Sequence, residues 1–260
     1  MNPANSAPRL RVAGCPVDCI SFDQASEEIC RRIEQRIPTH VVYVNAAKVV
    51  KYHRDPVLRS VIERADLLLP DGMPLVWVSR LFGQALPGRV NGTDLMERMA
   101  TLAAERGYSI FLLGATEEIV NATAAEFSRR HPRLKIAGVR NGYFKPEQDD
   151  EVLQAINASG ADILLIGIST PKKELWGDRN LVRLGVPICQ GAGGSFDVVA
   201  GAVSRAPGWM QRCGLEWFYR FLQEPLRMGG RYLRTNPQFL WLVFCAAARF
   251  WVLRLAQKFQ

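Results

Sequence analysis

Runs of consecutive aliphatic residues constrain the fold of this chain more than any other feature. Leu67-Leu68-Leu69 and Ile163-Leu164-Leu165-Ile166 place apolar side chains at successive positions. A strand with one face in water alternates apolar and polar residues, whereas a strand covered on both faces is apolar throughout. The runs therefore predict parallel strands with helices packed on both sides. A chain of 260 residues is long enough to bury one substantial core around such a sheet.

The remainder of the chain predicts an α/β body followed by a helical segment. Strands are predicted at 41–45, 65–69, 109–113, 135–139, 163–167 and 187–190, and helices at 23–36, 74–82, 95–106, 117–130, 148–157 and 172–184. Right-handed crossovers then give a Rossmann-like, doubly wound, mostly parallel sheet over residues 1–204. Residues 205–260 contain no strand-like run. They predict an appendage of two or three helices, interrupted at Pro207, Pro225, Gly229–Gly230 and Pro237.

Positive charge and tryptophan are concentrated in this appendage. Residues 201–260 carry nine Lys/Arg against two Glu, which supplies +7 of the chain's formal +8, and four of the six tryptophans. A basic, Trp-bearing end on a nearly neutral body indicates an anionic partner. The apolar run 239–248 is shorter than the roughly 20 residues needed to span a bilayer. We expect residues 237–260 to lie in the membrane interface, with a core or oligomer helix as the alternative.

Other sequence signals concern compartment and metal binding. The N-terminal residues contain no apolar run of signal-peptide length, so the protein is expected to stay in the cytoplasm, where it is made. The six cysteines lack zinc-ligand spacing, and the three histidines form no HxxxH or HxH pair. We therefore expect mostly reduced, structural thiols and no metal site built by the protein.

Small or polar residues follow four of the predicted strands, where an open α/β sheet binds its ligands. Asp71 comes directly after the leucine run and before Gly72, which suits either a general base or a helix-capping turn. The segment 191–197 is glycine-rich, as expected for a phosphate cradle or a plain tight turn. It matches neither the dinucleotide nor the P-loop fingerprint. Lys172 and Lys173 begin a predicted helix, where cations oppose the helix dipole unless an anion lies nearby. They are therefore expected to contact an anionic ligand, with a solvated surface as the alternative.

Three arginines of the appendage are candidates for contact with a diphosphate or with anionic headgroups. Arg220, Arg227 and Arg231 are separated by seven and four residues, so on a continuous helix they would share one face. A solvated basic face is the alternative.

In order and spacing, the motifs between about Val41 and Phe239 resemble the WecG/TagA/CpsF glycosyltransferase family. They are Val44-Asn45-Ala46, Ala65-Asp66, Asp71-Gly72-Met73, Arg89-Val90-Asn91-Gly92-Thr93-Asp94-Leu95, Phe111-Leu112-Leu113-Gly114, Asn141-Gly142-Tyr143-Phe144, Gly167 with Pro171-Lys172-Lys173-Glu174, Gly191-Ala192-Gly193-Gly194-Ser195-Phe196-Asp197, Arg205-Ala206-Pro207, Leu215-Glu216-Trp217, Tyr219-Arg220 and Glu224-Pro225-Leu226-Arg227.

The resemblance implies an inverting, metal-independent transfer of a sugar from a UDP donor to a saccharide on a polyprenyl diphosphate. Undecaprenyl diphosphate is the expected lipid carrier. The enzyme would work on the inner face of the cytoplasmic membrane, in bacterial surface or exopolysaccharide biosynthesis. The sequence leaves open whether the chain forms a homo-oligomer. Asp71 is the implied catalytic base, and Asn45 lines the same pocket. Arg220, Arg227 and, with a looser match, Arg231 would reach the diphosphate. The implied substrate-binding residues are Tyr43, Arg89, Asn91, Gly114, Lys172, Lys173, Glu174, Gly191, Gly193, Gly194, Asp197 and Arg205.

Three positions depart from the family pattern. Tyr43, Asn91 and Lys173 stand where the family commonly has threonine, threonine and glutamine. All three lie near the implied donor pocket. We therefore expect a donor other than UDP-N-acetylmannosamine, with UDP-glucose and a UDP-uronic acid both open.

Other functions remain as alternatives. A dinucleotide-dependent oxidoreductase lacks its glycine fingerprint here. A nucleic-acid-binding protein is suggested by the pI of about 9.4, but the basic charge lies beside an apolar, Trp-bearing segment rather than in a recognition motif. A catalytically silent member of the same family is also compatible with the unusual Tyr43 and Lys173.

Overall fold

A computed structural model describes residues 7–258, together with their side chains except those of residues 227, 228, 231 and 252–258. An antiparallel hairpin of β1 (Arg9–Val12) and β2 (Cys15–Asp18) opens the chain. The main sheet consists of β3 (Thr39–Val44), β4 (Leu67–Pro70), β5 (Ser109–Gly114), β6 (Lys135–Arg140), β7 (Ile163–Gly167) and β8 (Ile188–Gly191). Its order is β4-β3-β8-β7-β5-β6, and every neighbouring pair is parallel.

Helices cover both faces of this sheet. They are α1 (Phe22–Glu34), α2 (Ala46–Arg54), α3 (Pro56–Arg64), α4 (Met73–Leu81), α5 (Gly92–Arg106), α6 (Glu117–Arg130), α7 (Asp149–Ala158), α8 (Lys172–Asn180) and α9 (Ser195–Val199). Val41 and Leu69 belong to one buried cluster together with residues of α1, α5, α6 and α9, whereas Val42 and Leu68 belong to another together with residues of α2, α3 and α4. Beyond β8, α7 and α8 cover the second face. The predicted Rossmann-like, doubly wound α/β fold is confirmed, and its consecutive aliphatic residues face separate cores on the two sides of the sheet.

Some element predictions were incomplete. The hairpin β1–β2 and the helices α2 and α3 had not been predicted, and α8 ends at Asn180 rather than at residue 184. Asn45 and Asp55 cap α2 and α3, and Pro56 occupies the first turn of α3. These residue types commonly begin helices, so the sequence did carry a signal for both.

The C-terminal part forms α10 (Gly208–Arg212), α11 (Glu216–Gln223) and α12 (Pro225–Lys258). Pro225 separates α11 from α12 as predicted, but the interruptions predicted at Gly229–Gly230 and Pro237 are wrong because both lie inside α12. The small Gly229 lets the ring of Phe221 lie against α12. Phe239 is buried in the core beneath α2. Such tertiary packing offsets the weak helix propensity of glycine and proline.

The described residues include no helix that is both long enough and apolar enough to cross a membrane. A domain boundary at residue 204 stays a prediction.

Candidate functional site

Four adjacent strands bring many of the predicted site residues to one edge of the sheet. β4, β3, β8 and β7 are neighbours and run parallel, so their carboxyl ends lie side by side. The backbone N–H of Asp71 donates to the carbonyl of Val44 at 2.7 Å. Asp71 after β4 and Asn45 after β3 therefore lie at neighbouring strand ends, next to the loops that follow β8 and β7.

Asp71 does not cap the helix that follows it. The N-cap of α4 is Gly72, with φ of 120°, and the described residues supply no side-chain hydrogen bond to that cap. Glycine adopts this backbone conformation without the strain that a side chain would meet. The Asp71 carboxylate instead accepts a hydrogen bond from Asn91 Nδ2 at 3.3 Å. Burial and the nearby Glu216 carboxylate raise the pKa of Asp71, while Arg220, Lys48 and Arg89 act against the increase.

The segment with Arg89 and Asn91 lies across the end of β4. Val90 N–H donates to the carbonyl of Pro70 at 2.7 Å, which fixes the residues on either side of it. Asn91 Oδ1 caps α5 by accepting from the backbone N–H groups of Thr93 and Asp94 at 2.9 and 3.2 Å. The amide nitrogen of Asn91 therefore faces the carboxylates.

Glu216, the first residue of α11, brings a second carboxylate to Asp71. Its Oε2 accepts from Arg89 Nη1 at 3.1 Å and from Asn91 Nδ2 at 3.5 Å. Arg205 Nε lies 3.8 Å from its Oε1, and Arg205 also bonds to Asp94. Arg89, Asn91 and Arg205 thus lie around one glutamate that is not among the predicted site residues.

Asn45 begins α2 and leads to a buried ion pair. Its side chain accepts from the backbone N–H of Lys48 at 3.0 Å. Lys48 Nζ donates to Glu174 Oε1 of α8 at 2.6 Å, and both side chains are almost fully buried. Lys48 was not predicted because its helix was missed.

Lys173 and Lys172 differ in their surroundings. Lys173 Nζ donates to Thr170 Oγ1 at 2.7 Å and lies 3.1 Å from Glu174 Oε1, whereas Lys172 is exposed. Burial, with Lys48 nearby, lowers the pKa of Lys173 to about 8. Burial alone would raise the pKa of Glu174, but Lys48 and Lys173 together hold it well below its usual range. An anion does lie next to Lys173, and it is the Glu174 carboxylate of the same chain.

Tyr43 lies beneath α5 and is buried. Its hydroxyl accepts from Gln190 Nε2 at 2.9 Å, and its ring lies under Gly92. Burial raises the pKa of Tyr43 well above its usual value. Beside it, a cavity of about 10 Å³ is lined in part by Lys173 and Glu174, which is room for about one water molecule. Within the described part of the chain, Gln190 Oε1 and Glu174 Oε2 have no hydrogen-bond partner.

The glycine-rich loop lies over Lys173. A Cβ at Gly191 would come within 2.9 Å of Lys173 Cε, and one at Gly193 would lie 3.7 Å from Lys173 Nζ. Gly194 is the N-cap residue of α9, and the carbonyl of Asp197 accepts from Val203 N–H at 3.1 Å. The loop is thus a tight turn next to an ammonium group. A phosphate-binding role stays a prediction.

The remaining predicted site residues are Gly114 and the arginines of the C-terminal helices. Gly114 has φ of 143°, and a Cβ there would approach the backbone of Gly167 to 2.5 Å, so the residue fits the close pairing of β5 and β7. Arg220 of α11 is near enough to Asp71 to influence its pKa. Arg227 and Arg231 belong to α12, but their side chains lie outside the described part of the structure.

Sequence reasoning missed Lys48, Thr170, Gln190 and Glu216. Thr170 and Glu216 adjoin or belong to segments already singled out, so their positions carried a signal. The contacts of Lys48 and Gln190 depend on elements distant in sequence. Among the described residues, no three His, Cys, Asp or Glu side chains are grouped so as to hold a metal ion.

The comparison with known protein families agrees with this arrangement. The family model described as "Glycosyl transferase WecG/TagA/CpsF family" matches residues 10–252, which is nearly the whole chain. The resemblance noted from the sequence motifs is therefore confirmed, and this chain belongs to the WecG/TagA/CpsF family of glycosyltransferases.

Proposed function

We propose that this protein is an inverting glycosyltransferase. It transfers a sugar from a UDP donor to a saccharide on a polyprenyl diphosphate at the inner face of the cytoplasmic membrane, in bacterial surface or exopolysaccharide biosynthesis. The observation that carries the proposal is the partly buried Asp71 carboxylate at the end of β4, held by Asn91 and close to Arg89 and Arg220.

In this reaction Asp71 takes the proton from the acceptor hydroxyl as the oxygen attacks the anomeric carbon. The bond from that carbon to the UDP oxygen breaks on the opposite face of the sugar, and the electron pair leaves with UDP. A general base acts best when its pKa approaches the working pH. The raised pKa of Asp71 supports this role.

The departing diphosphate needs positive charge, which arginines can provide in place of a metal ion. Arg89, Arg205 and Arg220 lie around the Asp71–Glu216 region. We propose that they serve this purpose together with Arg227 and Arg231, and that no metal is required.

Lys173 and Tyr43 support a donor other than UDP-N-acetylmannosamine. The bulky Tyr43 ring fills space beneath Gly92, and the Lys173 ammonium lies beside the glycine-rich loop. Lys48 and Lys173 share the single carboxylate of Glu174, so the cluster keeps one net positive charge. That charge favours an additional negative charge on the donor, as in a UDP-uronic acid, while UDP-glucose is the neutral candidate.

The surface of α12 supports docking on a membrane. Exposed apolar residues recur at spacings of seven, seven, four and seven along this helix: Leu226, Leu233, Leu240, Phe244 and Trp251. Such spacing places them on one face. Arg234 and Arg249 are exposed nearby. An apolar face bordered by arginines suits the interface of an anionic bilayer.

The test is a panel of radiolabelled UDP-sugars with a short polyprenyl-diphosphate-linked saccharide as acceptor. We expect Asp71→Asn to lower kcat by about 10²–10⁴-fold while UDP binding, measured by calorimetry, is largely retained. Asp150→Asn is the matched control because Asp150 is exposed on α7, and it should leave turnover unchanged.

Three results would count against parts of the proposal. Retained turnover in Asp71→Asn would refute Asp71 as the base. UDP binding by the wild-type protein without turnover of any donor would favour a catalytically silent member. An unchanged donor preference in Lys173→Gln would remove the basis for the donor assignment.

A further inference from the structure

We propose that Glu216 is a positioning residue through which the C-terminal helices orient Asn91 and, with it, the Asp71 carboxylate. The inference deepens the proposed function and rests on it for the role of Asp71. Its geometric basis is a single amide group that contacts one carboxylate from the α/β sheet and another from α11.

The orientation of the Asn91 amide is fixed from the opposite side. Its Oδ1 accepts the backbone N–H groups of Thr93 and Asp94. A flipped amide would place N–H donors against N–H donors, so the Nδ2 group must face the carboxylates. Asn91 Nδ2 then lies 3.3 Å from Asp71 Oδ1 and 3.5 Å from Glu216 Oε2.

Glu216 is itself held firmly. Its side chain is only 12% exposed, and Arg89, at 3.1 Å, and Arg205, at 3.8 Å, both approach it. Arg89 and Asn91 flank Val90, which is bonded to the end of β4. Arg89 and Asn91 of the α/β body therefore converge, together with Arg205, on one carboxylate of α11, and the position of that helix is linked to the position of the base.

The charge of Glu216 has a separate effect from its geometry. Among the described residues, the titratable and charged groups near Asp71 include Tyr43 of β3, Lys48 of α2, Arg89 before α5, Lys173 of α8, and Glu216 and Arg220 of α11. Glu216 is the other carboxylate in this set, and it stabilises the protonated form of Asp71. When α11 packs in this position, it places the negative charge of Glu216 beside Asp71. It also holds Asn91, the residue that donates a hydrogen bond to Asp71.

Two substitutions separate these effects. Glu216→Gln keeps an oxygen acceptor for Arg89 and Asn91 but removes the charge. We expect the acidic limb of the kcat/KM profile to move to lower pH, because removing a nearby negative charge lowers the pKa of Asp71, with kcat on the plateau lowered by less than about tenfold. Glu216→Ala also removes the acceptor, and we expect kcat to fall about 10–100-fold with the donor KM changed by less than about threefold.

Hydrogen exchange provides a readout that does not need turnover. In Glu216→Ala we expect the amides of Thr93 and Asp94 and those of 216–223 to exchange at least about tenfold faster, as local opening becomes easier. Amides of α6 should keep their rates. Glu118→Gln, an exposed change on α6, is the matched control for both measurements.

Several outcomes would overturn the proposal. The first outcome combines two results: the acidic limb of the kcat/KM profile does not move in Glu216→Gln, and the amides of Thr93 and Asp94 exchange at the wild-type rate in Glu216→Ala. Together these results would show that Glu216 neither orients Asn91 nor affects the pKa of Asp71. A loss of turnover as complete as in Asp71→Asn would make Glu216 a catalytic residue instead. If Glu216→Gln binds UDP more tightly and turns over faster, the Glu216 carboxylate occupies a site that an anionic group of the substrate needs. If the wild-type protein turns over no donor, the proposed function fails, whereas the exchange rates still decide whether Glu216 orients Asn91.

Discussion

At the scale of single residues, the site depends on charges that the fold removes from water. Glu174 is 2% exposed, and its carboxylate lies between the ammonium groups of Lys48 and Lys173. Two cations share one anion in a poorly hydrated place, so each partner is required to keep the others charged. The cluster connects α2 to α8 directly beneath the glycine-rich loop.

Replacing Glu174 by glutamine should destabilise the protein and steepen the rise of its stability with pH. The change leaves two buried ammonium groups facing each other, which costs about 3–5 kcal/mol in the free energy of unfolding at neutral pH. Burial and Lys48 already lower the pKa of Lys173 to about 8. The folded variant will bind fewer protons than the unfolded chain, so its stability should rise as the pH increases from 7 to 9.

Urea unfolding at several pH values measures both effects. The exposed Glu118→Gln is the control and should change the free energy of unfolding by less than about 0.5 kcal/mol. A Glu174→Gln protein that unfolds like the control would show that the ion cluster does not contribute to stability.

Local sequence identified some of these residues and not others. Asp71 could be selected because a carboxylate between an apolar strand and a glycine stands out in the sequence. Position alone left a capping role open, and the structure shows that Gly72 is the cap residue instead. The pairing of Lys48 with Glu174 could not be predicted, because 126 positions separate the two residues and the pairing depends on how α2 and α8 meet.

At the scale of elements, the buried strands were easier to predict than the rest. Aliphatic residues at successive positions have few uses other than a doubly covered strand, so β4 and β7 were located to within two residues. The hairpin β1–β2 was missed because Arg9, Arg11 and Asp18 interrupt its apolar pattern. The buried Asp18 carboxylate is satisfied by Arg9 and by the backbone of Leu68, which are distant contacts.

The close approach of β5 and β7 gives a test of the sheet edge. Gly114→Ala should lower the free energy of unfolding by about 3 kcal/mol or more, because the added Cβ would lie 2.5 Å from the Gly167 backbone at a φ of 143°. Thermal and urea unfolding measure the loss.

Gly88→Ala is the matched control, since a Cβ at Gly88 would meet nothing within 4 Å. Equal stability of the two variants would mean that β5 and β7 separate at this end with little cost. The Gly114 position would then be open to the substrate-binding role implied by the family resemblance.

At the scale of the whole molecule, α12 has two faces with different surroundings. Phe239 is buried in the core cluster of α2 and α4, and Leu242 and Val243 pack against the same cluster. Leu240, Trp241 and Phe244 are each more than 60% exposed. From the sequence, this segment could either lie in the membrane interface or pack in the core. In the structure, α12 has both a face that packs in the core and a face of exposed apolar residues. Truncation near Thr235 would remove the buried Phe239, so it cannot test the exposed face alone.

Point substitutions on the exposed face test membrane docking without removing the core contact. The triple change Leu240→Ser, Trp241→Ser and Phe244→Ser should weaken binding to vesicles of phosphatidylglycerol and phosphatidylcholine by at least about tenfold, since each buried apolar side chain contributes about 1.5–3 kcal/mol. The melting temperature should stay close to that of the wild type. Vesicle flotation and calorimetry measure the two quantities.

Two matched changes show which face is responsible. Val57→Ser with Val182→Ser alters exposed apolar residues of the α/β body and should leave vesicle binding unchanged. Phe239→Ser should instead lower the melting temperature, because it removes a buried aromatic ring.

If the triple variant binds vesicles normally but dissociates from a dimer to a monomer in light scattering, the exposed face of α12 joins two copies of the chain. Because α11 places Arg220 near Asp71 and leads directly into α12, a vesicle-binding face on α12 would hold the proposed base Asp71 close to a lipid-linked acceptor.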